Sequence, residues 1–362
     1  MWNEATIPVR DWLERLALDT GAFRLASLST EPFHGPDYIA EIDVPTTKSR
    51  LTLIIEVKTR VTPQIAYSAV QLLRKFLANS LEGIPLLCAP YISMRSAEIC
   101  QEEGVSFLDG AGNCLLSGPG LFVRVTGKPN PRPDTRKAVN PFATKSSRVA
   151  RTLLSDPKRS WFVKDLAAES GISMGLVSKV KNALIEEALV ENREGQLRVR
   201  DPHALLEAWA SVYEPPAEAV PSYIMARPGR LEEDIAAACD KAGIDYALTG
   251  FAAAWRLSPM VRYQQPSVYI KLKRSSISSV TLLSRLGFKP VESGANLVAL
   301  FTDDPGPLTG AQIIDGLRVV SPLQAYLDLA KKPGRGEEAA TSLFEKYIAP
   351  EFMKTEAGGR GE

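Results

Sequence analysis

Three side chains in the N-terminal part of the chain have the types and spacing that metal-dependent hydrolysis needs. Asp37 opens one apolar run, and Glu56 and Lys58 end the next. On an extended strand Glu56 and Lys58 point to the same face, because side chains alternate. Two carboxylates can hold Mg²⁺, while a lysine orients water or offsets charge during phosphodiester hydrolysis. A solvated salt bridge at a strand end is the alternative interpretation.

This Asp…Glu-x-Lys pattern resembles that of the restriction-endonuclease-like fold, which Holliday-junction resolvases share. The resemblance gives catalytic roles to Asp37, Glu56 and Lys58, makes Asp37 and Glu56 the metal ligands, and suggests Gln71 on the helix behind them. Magnesium is implied only under this nuclease hypothesis; otherwise no cofactor is expected.

A second set of residues indicates DNA binding. Residues 145–200 have the pattern of a winged helix-turn-helix, with an apolar-periodic helix followed by the segment Trp161–Ser170, a break at Gly171–Ser173 and a second helix. Gly171 supplies the positive φ of a tight turn, and Ser173 can cap a recognition helix over residues 174–186. A short hairpin with a glycine at its turn, the wing, closes the segment.

The predicted recognition helix separates apolar from polar positions. Leu176, Val177, Val180 and Leu184 recur at helical spacing and are expected to face a three-helix core. The opposite side and the wing carry small, polar and basic types that suit a major groove and its phosphates. The predicted DNA-binding residues are Ser173, Met174, Ser178, Lys179, Lys181, Asn182, Arg193 and Arg198.

Positive charge is concentrated in this segment. Residues 141–200 contain eleven basic and seven acidic side chains, a local charge of +4, whereas the whole chain carries only +1. A surface that contacts DNA phosphates needs such a concentration of positive charge. A winged helix used only for protein contacts, or a solvated basic face, is the alternative.

The last third of the chain carries a strand, a glycine turn at Thr249-Gly250, a helix and a further strand over residues 267–272. This order resembles the nucleotidyltransferase core, where the turn cradles phosphates and the next strand presents carboxylates for two metals. The strand here has no Asp or Glu, so a non-catalytic scaffold is predicted. An unrelated α/β domain with a glycine turn, or a domain that binds a nucleotide without chemistry, stays open.

Composition narrows the class of protein. The chain has 362 residues, enough for two or three domains, and its 45% hydrophobic and 23% charged content is typical of soluble globular proteins. No apolar run reaches the ~18 residues of a membrane span, and the N-terminus lacks signal-peptide features. Four cysteines without metal-ligand spacing and two histidines indicate a reduced, cytoplasmic protein.

The elements that position these residues fall into three parts. Alternating strand and helix signals predict an α/β domain over residues 1–127, with parallel strands linked by helices. Proline-rich linkers at 127–134 and 214–221 separate it from a winged helix over 141–212 and from a third domain over 222–350. The predicted fold class is multidomain α/β plus α+β: restriction-endonuclease-like, winged helix-turn-helix and nucleotidyltransferase-like.

In the first domain the predicted helices are Val9–Leu18, Pro63–Leu77 and Met94–Glu103, and the predicted strands are Tyr38–Val44, Leu51–Lys58, Ile84–Ala89, Ser106–Leu108 and Leu115–Val125.

Three stretches together resemble the AbiEi-type antitoxins, which are transcriptional regulators of type IV toxin–antitoxin systems. They are Val105–Asn113, similar to the family's YLDLAGN element, the winged helix, and Val319–Leu329 with Pro333–Ala340. Gly110 departs from the family pattern, which usually has a bulky apolar residue there. In the last stretch Pro322 starts a helix and another begins at Glu337; the predicted apolar face of the first is Leu323, Tyr326, Leu327 and Ala330.

The resemblance implies a bacterial regulator that binds its own promoter through the winged helix and counters a nucleotidyltransferase-like toxin. Double-stranded DNA and such a toxin are the implied partners, no membrane partner is expected, and a homodimer stays open. The competing hypothesis is a Mg²⁺-dependent DNA nuclease targeted by its winged helix.

Overall fold

A computed structural model describes residues 7–30, 35–78, 82–132, 139–272 and 278–353. The described residues form two compact units, one within 1–138 together with 182–188, the other within 139–181 together with 189–362. The fold is mixed α/β, with two seven-stranded sheets and one two-stranded sheet. Across the described ranges, no helix has the length and apolar character needed to cross a membrane.

The first seven-stranded sheet has its strands in chain order from β1 to β7. Its strands are β1 Arg24–Thr30, β2 Tyr38–Val44, β3 Ser49–Val57, β4 Ile84–Ala89, β5 Ser106–Asp109, β6 Cys114–Gly118 and β7 Leu121–Val125. The helices of this region are α1 Val9–Thr20, α2 Pro63–Ala78 and α3 Met94–Glu102.

This sheet is mixed, so the prediction of parallel strands linked by helices is wrong outside its centre. Only β3–β4 and β4–β5 pair in parallel, and the other neighbours are antiparallel. Helix-sized crossovers are needed only for parallel pairs, and α2 and α3 supply them. The sequence pattern does not predict β1, because that strand is half-buried at best. The predicted strand over 115–125 divides into β6 and β7 at a turn where Gly120 has a positive φ of 70°.

An apolar core lies on each face of the sheet, so β3 is buried on both sides. The fully buried Ile55 packs in one core with Leu13 of α1, while its neighbour Ile54 packs in the other with Val70 of α2. Consecutive strand residues point to opposite faces, so a continuous apolar run is what such a strand requires.

The structure of the turn after β5 explains why position 110 holds a glycine and not a bulky apolar residue. The Asn113 amide N–H donates to Asp109 Oδ1 at 2.8 Å, and the Ile92 N–H donates to Asp109 Oδ2 at 3.1 Å. A Cβ on Gly110 would lie 2.7 Å from Cζ2 of Trp12, whose side chain is buried. The Trp12 ring therefore occupies the space that a larger residue at position 110 would need.

Residues 147–212 form three helices, a hairpin and a further helix. These are α4 Ser147–Ser155, α5 Val163–Ser170, α6 Met174–Glu186, β8 Val190–Arg193, β9 Gln196–Val199 and α7 Pro202–Val212. Asp201 caps α7 by accepting from the N–H groups of His203 and Ala204. The α6 bounds agree with the predicted recognition helix.

The second seven-stranded sheet has the order β13-β10-β14-β12-β11-β16-β15. Its strands are β10 Glu218–Tyr223, β11 Tyr246–Thr249, β12 Ser267–Lys271, β13 Lys289–Pro290, β14 Leu297–Thr302, β15 Gln312–Ile314 and β16 Leu317–Val319. The helices are α8 Leu231–Ala242, α9 Gly250–Leu257, α10 Ser279–Leu286, α11 Pro322–Leu329, α12 Arg335–Leu343 and α13 Ala349–Met353, with a 3₁₀ turn at Gly306–Leu308 and a π-helical turn at Phe344–Ile348. The helix predicted to begin at Glu337 begins at Arg335.

The close approach at Gly110 predicts a coupled effect on stability. Gly110→Ala should lower the free energy of unfolding by about 1–3 kcal/mol, because the packed Trp12 ring must shift. In a Trp12→Ala background the same substitution should cost less, and a double-mutant cycle in urea measures the difference. Gly175→Ala is the matched control, because its Cβ meets nothing within 4 Å. Equal costs of Gly110→Ala in both backgrounds would contradict the steric explanation.

Candidate nucleic-acid interface

The local structure of α6 follows from the turn before it. Gly171 ends α5 in the left-handed region with φ 65°, and its N–H donates to the Ala167 carbonyl. Ser173 then accepts a hydrogen bond on Oγ from the Leu176 N–H at 3.4 Å. The predicted positive φ and the predicted cap are both confirmed, and together they set the direction in which α6 leaves the turn.

One side of α6 is buried and the other is open to solvent. Val177, Val180 and Leu184 are fully buried, whereas Leu176, predicted with them, is only half-buried. The predicted DNA-binding residues lie on the other side of the helix or at its start. Of these, Ser173, Met174, Lys179 and Asn182 are exposed, and Ser178 and Lys181 are half-buried.

The hairpin that follows α6 has a two-residue turn. Glu194 and Gly195 both have positive φ, 51° and 83°, which suits the right-handed twist of the two strands. The buried Trp161 exchanges two backbone hydrogen bonds of 2.8 Å with Leu197, so it adds a bridge to the edge of β9. Arg193 is exposed on the hairpin, and its Nε lies 2.6 Å from Glu191 Oε1.

Two arginines of α4 reach across to residues more than 150 positions later in the chain. Arg148 Nη2 donates to Asp304 Oδ2 at 2.6 Å, and Arg151 Nη2 donates to Gln324 Oε1 at 2.6 Å. The guanidinium of Arg151 also lies over the indole of Trp209 on α7, with Cζ 5.1 Å from the ring centroid. These contacts join α4 and α7 to the turn after β14 and to α11.

The contacts continue to a buried carboxylate on α11. Asp328 Oδ1 accepts from the hydroxyls of Tyr213 and Tyr269 at 2.8 and 2.9 Å and from Gln324 Nε2 at 3.0 Å. Its other oxygen, Oδ2, accepts from the Thr249 hydroxyl at 2.5 Å. We call Arg151, Gln324, Asp328, Tyr213, Tyr269 and Thr249 the buried polar network.

Burial dominates the electrostatics of this network. It raises the pKa of Asp328 above the usual value, against the hydrogen bonds from Thr249 and Gln324, which favour the carboxylate. It lowers the pKa of Arg151 and raises the pKa values of Tyr213 and Tyr269. The network thus links a buried guanidinium and a buried carboxyl group through the amide of Gln324.

The predicted apolar face of α11 is confirmed only in part. Leu327 is buried, Tyr326 and Ala330 are half-buried against an apolar core, and Leu323 at the start of the helix is half-buried. The prediction missed Gln324 and Asp328, which belong to the buried side. A buried polar side chain is tolerated where it has partners, and the tyrosines and Arg151 provide them. The i, i+4 spacing of Gln324 and Asp328 on one helix was the available signal, but it does not reveal partners that lie far away in sequence.

The residues predicted for hydrolysis do come together at the ends of β2 and β3. Tyr38 pairs with Ile55 in the antiparallel register, which brings Asp37 opposite Glu56. The Val57 N–H donates to Asp37 Oδ2 at 2.7 Å. Glu56 is buried and forms an ion pair with the half-buried Lys58. Gln71 is exposed on α2.

The glycine turn of the third predicted domain also forms as expected. Gly250 has φ 58°, between β11 and α9. On β12, Val268, Tyr269 and Ile270 are all buried, and Tyr269 belongs to the buried polar network rather than to a metal site. Within the described parts of the chain, no group of three or more His, Cys, Asp or Glu side chains is placed to hold a metal ion.

A comparison with protein families found a match in the C-terminal part of the chain. Residues 198–349 match the family described as "Transcriptional regulator, AbiEi antitoxin, Type IV TA system". This region, which is less than half of the chain, is similar to that family. The match runs from β9 to α13 and includes Tyr213, Tyr269 and Asp328, but it stops short of Arg148 and Arg151 on α4. Searches of curated proteins and of solved structures found no match.

The raised pKa of Asp328 predicts a specific dependence of stability on pH. A buried acid whose pKa lies above the unfolded value of about 3.9 contributes stability below that pH and loses it as the pH rises through the folded pKa. Asp328→Asn cannot titrate. Urea unfolding from about pH 4 to pH 7 should therefore show the wild type losing free energy of unfolding relative to this variant.

The control for that measurement is Asp303→Asn, which changes an exposed carboxylate near Asp304. Its free energy of unfolding should follow the wild-type pH profile. If Asp328→Asn also follows that profile, the carboxylate is not the titrating group and the interpretation of the network is wrong.

Proposed function

We propose that this chain is a DNA-binding transcriptional regulator of the antitoxin type, in which residues 141–212 act as a winged helix-turn-helix. In this proposal α6 enters the major groove and the hairpin β8–β9 holds the phosphate backbone. Ser173, Met174, Ser178, Lys179, Lys181 and Asn182 face the groove, and Arg193 and Arg198 contact phosphates. The partner is double-stranded DNA.

The observation that carries the proposal is the division of α6 into two sides. Val177, Val180 and Leu184 are fully buried, so the helix is held by its apolar side. Lys179 stands on the exposed side, and Lys181 is half-buried next to it. A recognition helix needs such an arrangement, because its base-contacting side must stay free while the other side fixes its position.

A more specific proposal rests on the match of residues 198–349 to the AbiEi antitoxin family model. We propose that the protein represses its own promoter and counters a nucleotidyltransferase-like toxin. The order β11, Gly250 turn, α9 and β12 supports a nucleotidyltransferase-like domain over residues 222–350. Strand β12 contains no Asp or Glu to hold a metal ion, which supports a domain that does not catalyse nucleotidyl transfer.

The first test is a mobility-shift titration on DNA from upstream of the protein's own gene, in EDTA. Lys179→Ala with Lys181→Ala should weaken binding and reduce the dependence of log K on log salt by about one unit for each phosphate contact that is lost. Lys241→Ala with Lys289→Ala removes the same charge from exposed positions and should change neither quantity. Equal effects of the two double variants would sink the assignment of α6.

A second candidate function, a Mg²⁺-dependent DNA nuclease, is favoured by one observation in the N-terminal unit. The β2–β3 register sets Asp37 opposite the buried Glu56, and Lys58 is ion-paired with Glu56. The order α1, β1, β2, β3, α2, β4 also supports a restriction-endonuclease-like domain over residues 1–127. A cavity of about 420 Å³, lined by Lys58, Arg60 and Ser68 among others, adjoins this position.

Under this candidate the carboxylates of Asp37 and Glu56 would hold the metal, since oxygen ligands are what Mg²⁺ prefers. Lys58 would offset charge beside the scissile phosphate. Two carboxylates leave most metal positions to water and substrate, which is usual for Mg²⁺.

The nuclease candidate predicts cleavage of duplex, single-stranded or branched DNA in Mn²⁺. Glu56→Ala should abolish that cleavage while DNA binding in EDTA is unchanged, because binding belongs to a different part of the chain. Glu82→Ala, at an exposed position before β4, should cleave like the wild type. Intact DNA with the wild-type protein in Mn²⁺ removes this candidate and leaves the regulator.

A further inference from the structure

Strand β7 forms one edge of the first seven-stranded sheet, and among the described residues it pairs only with β6. Its register with β6 is regular along its whole length. Neither a proline nor a lysine lies in it, and its one charged residue is Arg124. A regular edge strand of this kind presents unpaired N–H and C=O groups that can pair with another strand.

The opposite edge of the sheet is less suited to pairing. Along β1, the register with β2 shifts between Leu25 and Ser27. Such an irregularity twists an edge strand and interrupts the row of backbone groups that another strand would need. Of the two edges, β7 is therefore the one that can accept a further strand over its whole length.

The backbone groups of β7 that point to the free edge belong to Phe122 and Arg124. Phe122 lies opposite Ser117 of β6. The Ser117 N–H donates to Ser106 Oγ of β5 at 3.3 Å, so it points away from β7. In an antiparallel pair, two opposite residues either exchange both hydrogen bonds or both turn their backbone groups outward. Phe122 therefore turns its N–H and C=O to the free edge, and Arg124 does the same because the pattern alternates along the strand.

The side chains of the same two residues lie on one face of β7 and are open to solvent. Phe122 is 68% exposed, and Arg124 is exposed as well. Within the described ranges, Phe122 has no ring contact and Arg124 has no ion pair. Val123, between them, is buried in the core on the other face. An aromatic ring and a guanidinium attract each other, so each is available to a partner of the other kind.

We propose that β7 pairs with β7 of a second copy of this chain, antiparallel about a two-fold axis at Val123. This axis sets Phe122 opposite Arg124 of the second copy, and the symmetry repeats the pair. Each pair exchanges both backbone hydrogen bonds and adds a cation–π contact. An axis at Arg124 would set two arginines opposite each other, and an axis at Phe122 would leave Arg124 opposite Gly120. Only the axis at Val123 overlaps the whole strand.

The test is sedimentation equilibrium of the full chain, with the wild type and two variants at one position. The wild type should form a concentration-dependent dimer. Phe122→Lys sets a lysine opposite Arg124 of the second copy and should raise the dissociation constant of the dimer at least about tenfold, because two like-charged pairs form. Phe122→Glu removes the same ring but sets a carboxylate opposite that arginine, so its dissociation constant should stay within a few-fold of the wild-type value.

Two further variants control for position and for folding. Ile313→Lys adds the same charge at an exposed apolar residue of β15, an edge strand of the other sheet, and should dimerise like the wild type. Phe122→Lys combined with Arg124→Glu restores opposite charges across the axis and should recover the dimer. Recovery in this double variant shows that the loss in Phe122→Lys is not a loss of folding.

Hydrogen exchange followed by mass spectrometry locates the surface. Above the dissociation constant, amides of β7 should exchange more slowly than below it, whereas those of β1 should not change. A wild-type chain that stays monomeric at every concentration overturns the proposal, as does equal dimerisation of Phe122→Lys and Phe122→Glu. A dimer whose β7 amides exchange as in the monomer uses another surface and overturns it too. These measurements contain no DNA and no metal, so their outcome is independent of both candidate functions.

Discussion

Removing the Asp328 carboxylate from water costs on the order of several kcal/mol unless other donors replace its hydration. Here the donors are two tyrosine hydroxyls, a threonine hydroxyl and the amide of Gln324. They come from the residue that follows α7, from β11 and β12, and from α11 itself, so the requirements of one carboxylate connect these four elements. The second unit therefore has a polar connection between its elements in addition to its apolar cores.

The hydrogen bonds of Asp328 and Gln324 also extend beyond residues 198–349, the part of the chain that matches the antitoxin family model. Gln324 turns its amide nitrogen to Asp328 and its oxygen to Arg151, which leaves no freedom to exchange the two ends. Arg151 lies on α4, before the matched residues 198–349. The matched residues therefore complete their buried hydrogen bonding with a side chain from α4, the helix that precedes α5 and α6. A fragment cut at residue 198 would leave Gln324 Oε1 without its donor.

Much of the local structure could be predicted from the sequence, because it depends on short-range patterns. The bounds of α6, the positive φ of Gly171 and the cap at Ser173 follow from helical spacing and turn chemistry within a few residues. Residue type and spacing were enough to select Asp37 and Glu56, but the antiparallel β2–β3 register that sets them opposite each other was not predicted. The buried polar network could not be predicted in this way. Gln324 and Arg151 are 173 residues apart, and helical periodicity assigns polar side chains to the surface unless their partners are known. The antiparallel edges of the first sheet were missed for a related reason, since strand direction is a long-range property.

The two-residue turn at Glu194 and Gly195 has a consequence for how the hairpin can vary. It pairs Glu191 directly with Arg198 and Arg193 with Gln196, and alternate residues of each strand face opposite sides. Leu197 and Val199 are buried on the side away from Arg198. One additional residue in the turn would shift this register and move the arginine to the apolar side. Changes in the composition of the hairpin are therefore compatible with its fold, whereas changes in its length are not.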